Sequence, residues 1–359
     1  MTPLIWSLIM VPVVGGMMLT MMPMILYVER RGSAFMQRRL GPNRVGPLGA
    51  LQSVADALKL LFKEENMPAA AHKVLFILAP AMAVIPPFLA FSVIPISGYV
   101  HLDGQELPVG IANISVGLLF LLSITSLHVY SVLAGGWSSN NKFSLMGALR
   151  SSSQMISYEI AIGISIVSLV ITYGTLDLRE IVKLQAADGA MPAWGMFLQP
   201  VCFIIMWISS FAETNRLPFD LPEGESELVA GYHTEYSGLK FALYFLGEYT
   251  SMFLASAFLA TLFMGGYNIP FLSDETLRHF FMNKGWDLTE ASLWVAGLQF
   301  ASFFLKMWFF LWVFVWVRWT LPRFRYDQLM DLGWKMLLPL GVLNVIVTMV
   351  VSYVKQRGL

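Results

Sequence analysis

The residues best suited to chemistry lie in one run, AETNRLPFDLPEGESELVAGYHTEYSG, residues 212–238. It carries six acids, Glu213, Asp220, Glu223, Glu225, Glu227 and Glu235, around a single arginine, Arg216. The run joins two strongly apolar segments, and carboxylates at or near lipid depth are costly and mark ion paths. Like charges and burial both raise carboxyl pKa values, so such a group titrates as a coupled set. That is the chemistry of a proton reservoir whose charge responds to events nearby. A solvated acidic face that binds a basic partner is the competing reading. Pro218 and Pro222 break any helix and Gly224 permits a turn. If buried, this broken chain must line a polar cavity, because it cannot satisfy its own backbone.

Two further acids sit inside apolar segments. Glu159 lies nine residues past Arg150, about 13 Å along a helix, and Glu248 lies eight past Lys240, about 12 Å. With Glu213 they place one deep acid on each of three successive apolar segments. Three such acids are hard to explain as structure. Lys306, in a later apolar segment, is a candidate partner for one of them, with snorkelling as the plainer alternative.

The elements that position these residues follow from composition. The chain has 359 residues, 57% hydrophobic and only 13% charged, with a net charge of zero. A soluble domain carries about a quarter charged residues, so this is membrane composition, and no bulk field points to nucleic acid. Stretches long enough to span occur near 3–28, 73–97, 111–134, 155–173, 194–212, 241–265, 293–317 and 334–354, with the acidic inner loop at 213–240. The fold class expected is therefore an all-α polytopic membrane protein: a single integral membrane domain, residues 1–359, of about eight transmembrane helices plus an amphipathic surface helix. The surface helix is read in PLGALQSVADALKLLFKEE. There Leu48, Leu51, Val54, Leu58, Leu61 and Phe62 recur at helical spacing opposite Gln52, Asp56, Lys59 and Lys63. Lys and Arg concentrate in the odd-numbered loops, which puts both termini on the outer side. The apolar N-terminus has no basic leader and reads as a retained first span.

Three polar inner stretches flank these spans. ERRGSAFMQRRLGPNRVG contributes Arg30, Arg31, Gln37, Arg38, Arg39 and Arg44; GGWSSNNKFSLMGALRSSSQ reads as a polar loop; RWTLPRFRYDQLMDLGWK mixes Arg318, Arg323, Arg325 and Tyr326 with Asp327 and Asp331. Membrane anchoring is the commoner role of any single such cation, and docking of a soluble partner or lipid phosphate is the sharper one. The outer segment 266–292 holds a weakly amphipathic stretch, LSDETLRHFFMNKGWDL, expected at the interface. No nucleotide-binding or haem-attachment motif occurs, the five histidines are scattered without a metal-ligand pattern, and Cys202 is the single cysteine. Neither a disulfide nor an iron–sulfur cluster can be built from this chain alone.

At these residues the chain resembles a known family. ERRGSAFMQRRLGPNRVG, ADALKLLFKE, GWSSNNKFSLMGALRSSSQMISYE, the 212–238 run, Gly247-Glu248-Tyr249 and LPRFRYDQLM resemble the H subunit of respiratory NADH:quinone oxidoreductase, the counterpart of mitochondrial complex I subunit 1. The resemblance covers nearly the whole chain, and the acidic motif is long and specific. It implies a membrane subunit of a proton-pumping translocase with no complete active site of its own, forming the entrance to the chamber where quinone is reduced. It assigns Arg30, Gln37, Arg39, Asp56, Lys59 and Phe219 to the chamber or its mouth. Glu213, Glu225, Glu227 and Glu235 match the loop that responds to quinone chemistry, and Glu159 and Glu248 the acids leading to the membrane-arm proton path. Quinone is the implied substrate; FMN and iron–sulfur clusters belong to partner subunits of the peripheral arm, and small membrane subunits are the other neighbours. No metal is expected in this chain. A bacterial inner membrane is the expected location, a mitochondrial inner membrane the alternative. Two other functions remain: the homologous subunit of a membrane-bound hydrogenase-type complex, and an autonomous ion antiporter.

Overall fold

Apolar stretches of this length can cross a bilayer only as helices that satisfy their own backbone, and helices account for almost all of the regular structure. The computed structural model describes residues 3–102, 104–186, 193–221, 224 and 228–357. In chain order the helices are α1 (Pro3–Met36), α2 (Gln52–Leu61), α3 (Lys73–Phe91), α4 (Gly117–Thr125), α5 (Leu127–Ser138), α6 (Lys142–Tyr173), α7 (Leu178–Gln185), α8 (Gly195–Leu198), α9 (Pro200–Glu213), α10 (Gly238–Phe263), α11 (Asp274–Met282), α12 (Leu288–Thr320), α13 (Tyr326–Asp331) and α14 (Leu338–Gln356). A π-helical turn, Leu332–Leu337, joins α13 to α14. A small antiparallel hairpin, β1 (Tyr99–Leu102) and β2 (Gln105–Pro108), pairs Val100 with Leu107 and His101 with Glu106.

Among the described residues, seven helical segments are long and apolar enough to cross a membrane: α1, α3, α4 with α5, α6, α10, α12, and α13 with α14. The fifth expected span, 194–212, is the one-turn α8 followed by α9, which is 14 residues long. Three other boundaries depart from expectation. The predicted polar loop before the fourth span is mostly helix, because α6 begins at Lys142, where Asn141 accepts a hydrogen bond from Phe143 N at 2.9 Å. The surface helix is shorter than 47–65: Pro47–Gly49 is a 3₁₀ turn with Leu48 at φ 54°, and only Gln52–Leu61 is α-helical. Between α6 and α8 the chain forms α7, capped by the Asp177 carboxylate, and between α3 and α4 the hairpin, for which Asp103-Gly104 is the turn signal in the sequence. The stretch expected at the outer interface contains α11.

Serines would weaken α6 as an exposed helix, but here they serve its packing. Ser151, Ser152 and Gln154 are buried against the chain that leaves α9. Gln154 Nε2 donates to Ala212 O (2.8 Å) and Phe219 O (2.9 Å), and Asn215 Nδ2 donates to Ser151 Oγ (3.0 Å). Side chains of α6 thus bond a carbonyl at the end of α9, one in the broken chain after it, and the Asn215 amide. Close helix contacts use small residues, as in other membrane bundles. A Cβ on Gly147 would meet Gly231 Cα at 2.7 Å, and one on Gly247 would meet the Ala83 carbonyl oxygen at 2.8 Å. One apolar core runs through α1, α6, α9, α10 and α12, and a smaller aromatic one holds Phe76, Tyr232, Tyr236 and Tyr244.

Candidate proton-handling site and apolar cleft

Three arrangements hold the acids among the described residues. The first is an ion network around Arg216. Its Nε is 2.6 Å from Glu248 Oε1, and its Nη1 donates to Glu29 Oε1 at 3.5 Å. Arg318, from α12, pairs with the same Glu29 oxygen, and Tyr249 Oη donates to Glu29 Oε2 at 2.7 Å. The Arg216 guanidinium lies over the Tyr249 ring, 4.3 Å from its centroid. Arg323 Nη2 donates to Asp220 Oδ2 at 3.1 Å, and Phe324 N donates to Pro218 O at the same distance, which ties the acidic segment to the end of α12. Three carboxylates thus face three guanidiniums. Burial opposes the charge on Arg216, but Glu248, Tyr249 and Glu29 outweigh it and hold the pKa well above the ordinary arginine value. Burial raises the Asp220 pKa above the usual carboxylate range although Arg323, Arg318 and Arg216 oppose it.

The second arrangement is a cavity of 30 Å³ between α3, α4, α5, α6, α9 and α10, lined by His128, Glu159, Glu213 and Ser251 among apolar side chains. That is room for about two waters. The two deep acids expected on α6 and α9 therefore meet here, while Glu248 belongs to the ion network.

The third is the second half of the acidic run. Glu235 accepts from Asn141 Nδ2 at 2.6 Å, at the start of α6. Beside it His233 packs edge-on to Tyr232 and Phe241, and burial pushes its pKa down to about 4. Glu223, Glu225 and Glu227 lie outside the described residues.

Next to the network is a cleft of 410 Å³ between α1, α2 and α10, lined mainly by apolar side chains with Arg30, Ser53, Asp56 and Tyr249. Arg30 pairs with Asp56, which also accepts from Gln52 Nε2 at 3.0 Å. Of the expected chamber residues, only Arg30 and Asp56 line this cleft. Gln37 and Arg39 are exposed and bonded to one another (Nε to Oε1, 2.6 Å), and Lys59 is exposed. Phe219 is buried against Tyr158 and Phe324, at centroid distances of 5.6 and 5.4 Å. Leu48, Leu51, Val54, Leu58, Leu61 and Phe62 are all exposed on the outside of the α2 segment.

Glu29, Tyr249, Arg318 and His128 were not singled out from sequence as site residues. Glu29 and Arg318 look like span-end anchors until the fold brings α1 and α12 together, and His128 shows only as a lone polar residue on an apolar helix. Among the described residues Lys306 pairs with none of the acids: its Nζ donates to the backbone carbonyls of Gly266 (2.9 Å) and Asn268 (2.5 Å). Among the described residues no group of three His, Cys, Asp or Glu side chains is placed to hold a metal ion.

The family model described as NADH dehydrogenase matches residues 8–349. The chain belongs to this family. It is 48% identical over 322 residues to the first of the NADH-quinone oxidoreductase H subunits of Cytophaga hutchinsonii, covering 90% of this chain and 89% of that protein. It is also 48% identical over 360 residues to the NADH-quinone oxidoreductase H subunit of Bdellovibrio bacteriovorus, covering 94% of each, and 47% identical over 344 residues to NADH-quinone oxidoreductase subunit 8 of Rhodothermus marinus, covering 96% of each. Within the NADH dehydrogenase family, then, this chain is a polytopic helical member of the H-subunit type, and its buried charge sits where α1, α9, α10 and α12 converge.

Proposed function

We propose that this chain is the membrane subunit of a bacterial inner-membrane NADH-quinone oxidoreductase that forms the entrance to the quinone chamber and couples quinone reduction to proton movement. The observation that carries the reading is the position of Tyr249. It lines the apolar cleft and at the same time donates to Glu29 and stacks on Arg216. A group entering the cleft from the lipid side therefore touches the ion network through one side chain. Arg30 and Asp56 set a polar point in an otherwise apolar wall, which suits an amphiphile with a polar head. Gln37, Arg39, Lys59 and Phe219 would act through contacts with partner subunits or by supporting the acidic segment, since they do not line the cleft itself.

Reduction of the quinone consumes two electrons and two protons and yields the quinol. The electrons come from FMN and iron–sulfur clusters held by peripheral-arm partners, and this chain supplies no complete active site. Removing two protons changes the charge felt by Asp220, Glu248 and the acids at 223, 225 and 227. The two-water cavity at Glu159 and Glu213 then relays the change sideways to neighbouring membrane subunits. Both termini face the outer side in this reading, as the loop cations imply. The names of the relatives favour this reading over a hydrogenase-type complex, and their similarity over nearly the full length gives an autonomous antiporter no support.

The test is Glu213→Gln in the assembled complex, in inverted membrane vesicles. NADH:quinone turnover or the proton gradient it builds is expected to fall at least tenfold, the scale on which a lost proton-transfer group acts, while the complex keeps its size on native gels. Wild-type turnover and pumping in the variant would sink the proposal.

A further inference from the structure

The outer half of the bundle is built differently from the inner half. A polar vestibule of 260 Å³ opens on the outer side, lined by Lys183, Gln185, Trp194, Asn268, Asp274 and Glu275 among others. Its floor is made by Trp194 and Asn268. Directly behind that floor is Lys306, whose ammonium is 5.3 Å from the Trp194 ring centroid and donates to the Gly266 and Asn268 carbonyls. Every partner named here is an acceptor suited to a cation: two carbonyl oxygens and an aromatic face. Among the described residues no carboxylate lies within ion-pairing distance of Lys306. Arg179, on α7 close by, is held in the same way, donating to the carbonyls of Ser97, Gly98 and Val109 at 2.9–3.1 Å, likewise with no carboxylate.

One turn inward from Lys306 on α12 comes Phe310. With Phe203 of α9 and Phe263 of α10 it forms an aromatic layer, with centroids 5.2 Å (Phe203–Phe263) and 6.2 Å (Phe203–Phe310) apart. Glu213 follows ten residues later on α9, about 15 Å further in. From outside inward the order is polar vestibule, a buried cation with no carboxylate partner among the described residues, apolar layer, acid cavity. Asp274 and Glu275, which line the vestibule, would draw protons in, and the Lys306 ammonium beneath them, held by two carbonyls and the Trp194 ring, repels them in its charged form. Charged constrictions exclude ions in pores by this principle.

We infer that Lys306 is a barrier residue: its charge seals the acid cavity against the outer vestibule, so that protons handled by this chain do not cross to the outer face through it. The inference rests on the proposed proton-coupling function, and its test is separate from that function because it is run without NADH.

The experiment measures passive proton flux, after an acid pulse with the potential clamped by potassium and valinomycin, in proteoliposomes of the assembled complex. Lys306→Met and Lys306→Gln are each expected to raise the flux at least about tenfold, since a unit charge at close range opposes a proton by more than that even when partly screened. Lys306→Arg is expected to stay as tight as the wild type. Tight Lys306→Met and Lys306→Gln complexes would overturn the inference, and a leak in Lys306→Met but not Lys306→Gln would reduce Lys306 to a hydrogen-bonding peg. Should these variants fail to assemble, the seal is tested with Lys306 in place, in a Cys202→Ser background. Leu272→Cys, at the vestibule, is expected to react with a membrane-impermeant maleimide from the outer side. Phe203→Cys, beneath the floor, is expected not to, and labelling there would overturn the seal. Failure of NADH-driven pumping in the wild-type complex would instead count against the proposed function.

Discussion

Arg216 serves two carboxylates that lie far apart in the sequence, Glu29 on α1 and Glu248 on α10. Removing one member of a buried ion pair leaves an uncompensated charge and costs about 3–5 kcal/mol. Arg216→Met is therefore expected to abolish assembly, read as loss of the complex on native gels. Arg216→Lys keeps the charge but not the planar fork that reaches two acids at once; it is expected to assemble with a lowered thermal midpoint. Tyr249→Phe is a gentler probe. It keeps the ring over Arg216 and deletes only the hydrogen bond to Glu29, a charge-assisted bond worth about 1.5–3 kcal/mol. If the bond strengthens in the rate-limiting step, its loss there corresponds to a fall of up to about tenfold in quinone turnover, with assembly intact. Unchanged kcat and KM in Tyr249→Phe would mean that the phenol does not link the cleft to the network.

At the scale of elements, the placement of the acids depends on two close approaches. Gly147 lets α6 touch the segment Gly231–Glu235, and Gly247 lets α10 touch the carbonyl of Ala83 on α3. Gly147→Val has backbone, not a flexible side chain, in its way, and overpacking of this kind costs about 1–3 kcal/mol. A lowered thermal midpoint is expected, together with faster proteolysis near Tyr232; an unchanged midpoint would show that the contact can relax. These contacts also mark where sequence reading stops. The spans, the acidic run and the helix break at Pro218 were legible because apolar length, crowded acids and proline act locally. That Glu159 and Glu213 share a cavity while Glu248 joins Arg216 depends on helix rotation, which the spacing of single acids does not determine. The same limit hid Glu29 and Arg318. Each ends an apolar run where a basic or acidic anchor is common, and only the meeting of α1 with α12 turns them into a pair. The polar stretch before Glu159 misled for a different reason: its serines read as a loop, yet they pack against broken chain that needs hydrogen-bond partners. Lys306 shows the reverse error, a cation expected to seek an acid that is instead satisfied by backbone carbonyls at the end of α10.

For the molecule as a whole, the acidic segment makes stability depend on pH through groups that pull in opposite directions. His233 is buried as the neutral ring, with its pKa pushed down to about 4 from an ordinary value near 6.5. The unfolded state binds the extra proton between those values, so the folded state loses stability as pH falls from about 6.5 toward 4. The full effect is on the order of 3 kcal/mol, from about 1.4 kcal/mol per pKa unit. Asp220 has the opposite sign. Its pKa is raised by burial, so its proton is held more tightly in the folded state, and it contributes most at acid pH and loses that contribution as pH rises through its folded pKa. The network around it limits this, because Arg323 stays paired with the ionised form. The net expectation is an acid-side loss governed by His233: the thermal midpoint of the purified complex should fall between pH 6.5 and 4.5. In His233→Gln, which cannot take up that proton, the fall should be clearly smaller while the midpoint at pH 7.5 changes little by comparison. An identical acid limb in both proteins would place the pH sensitivity in groups other than His233.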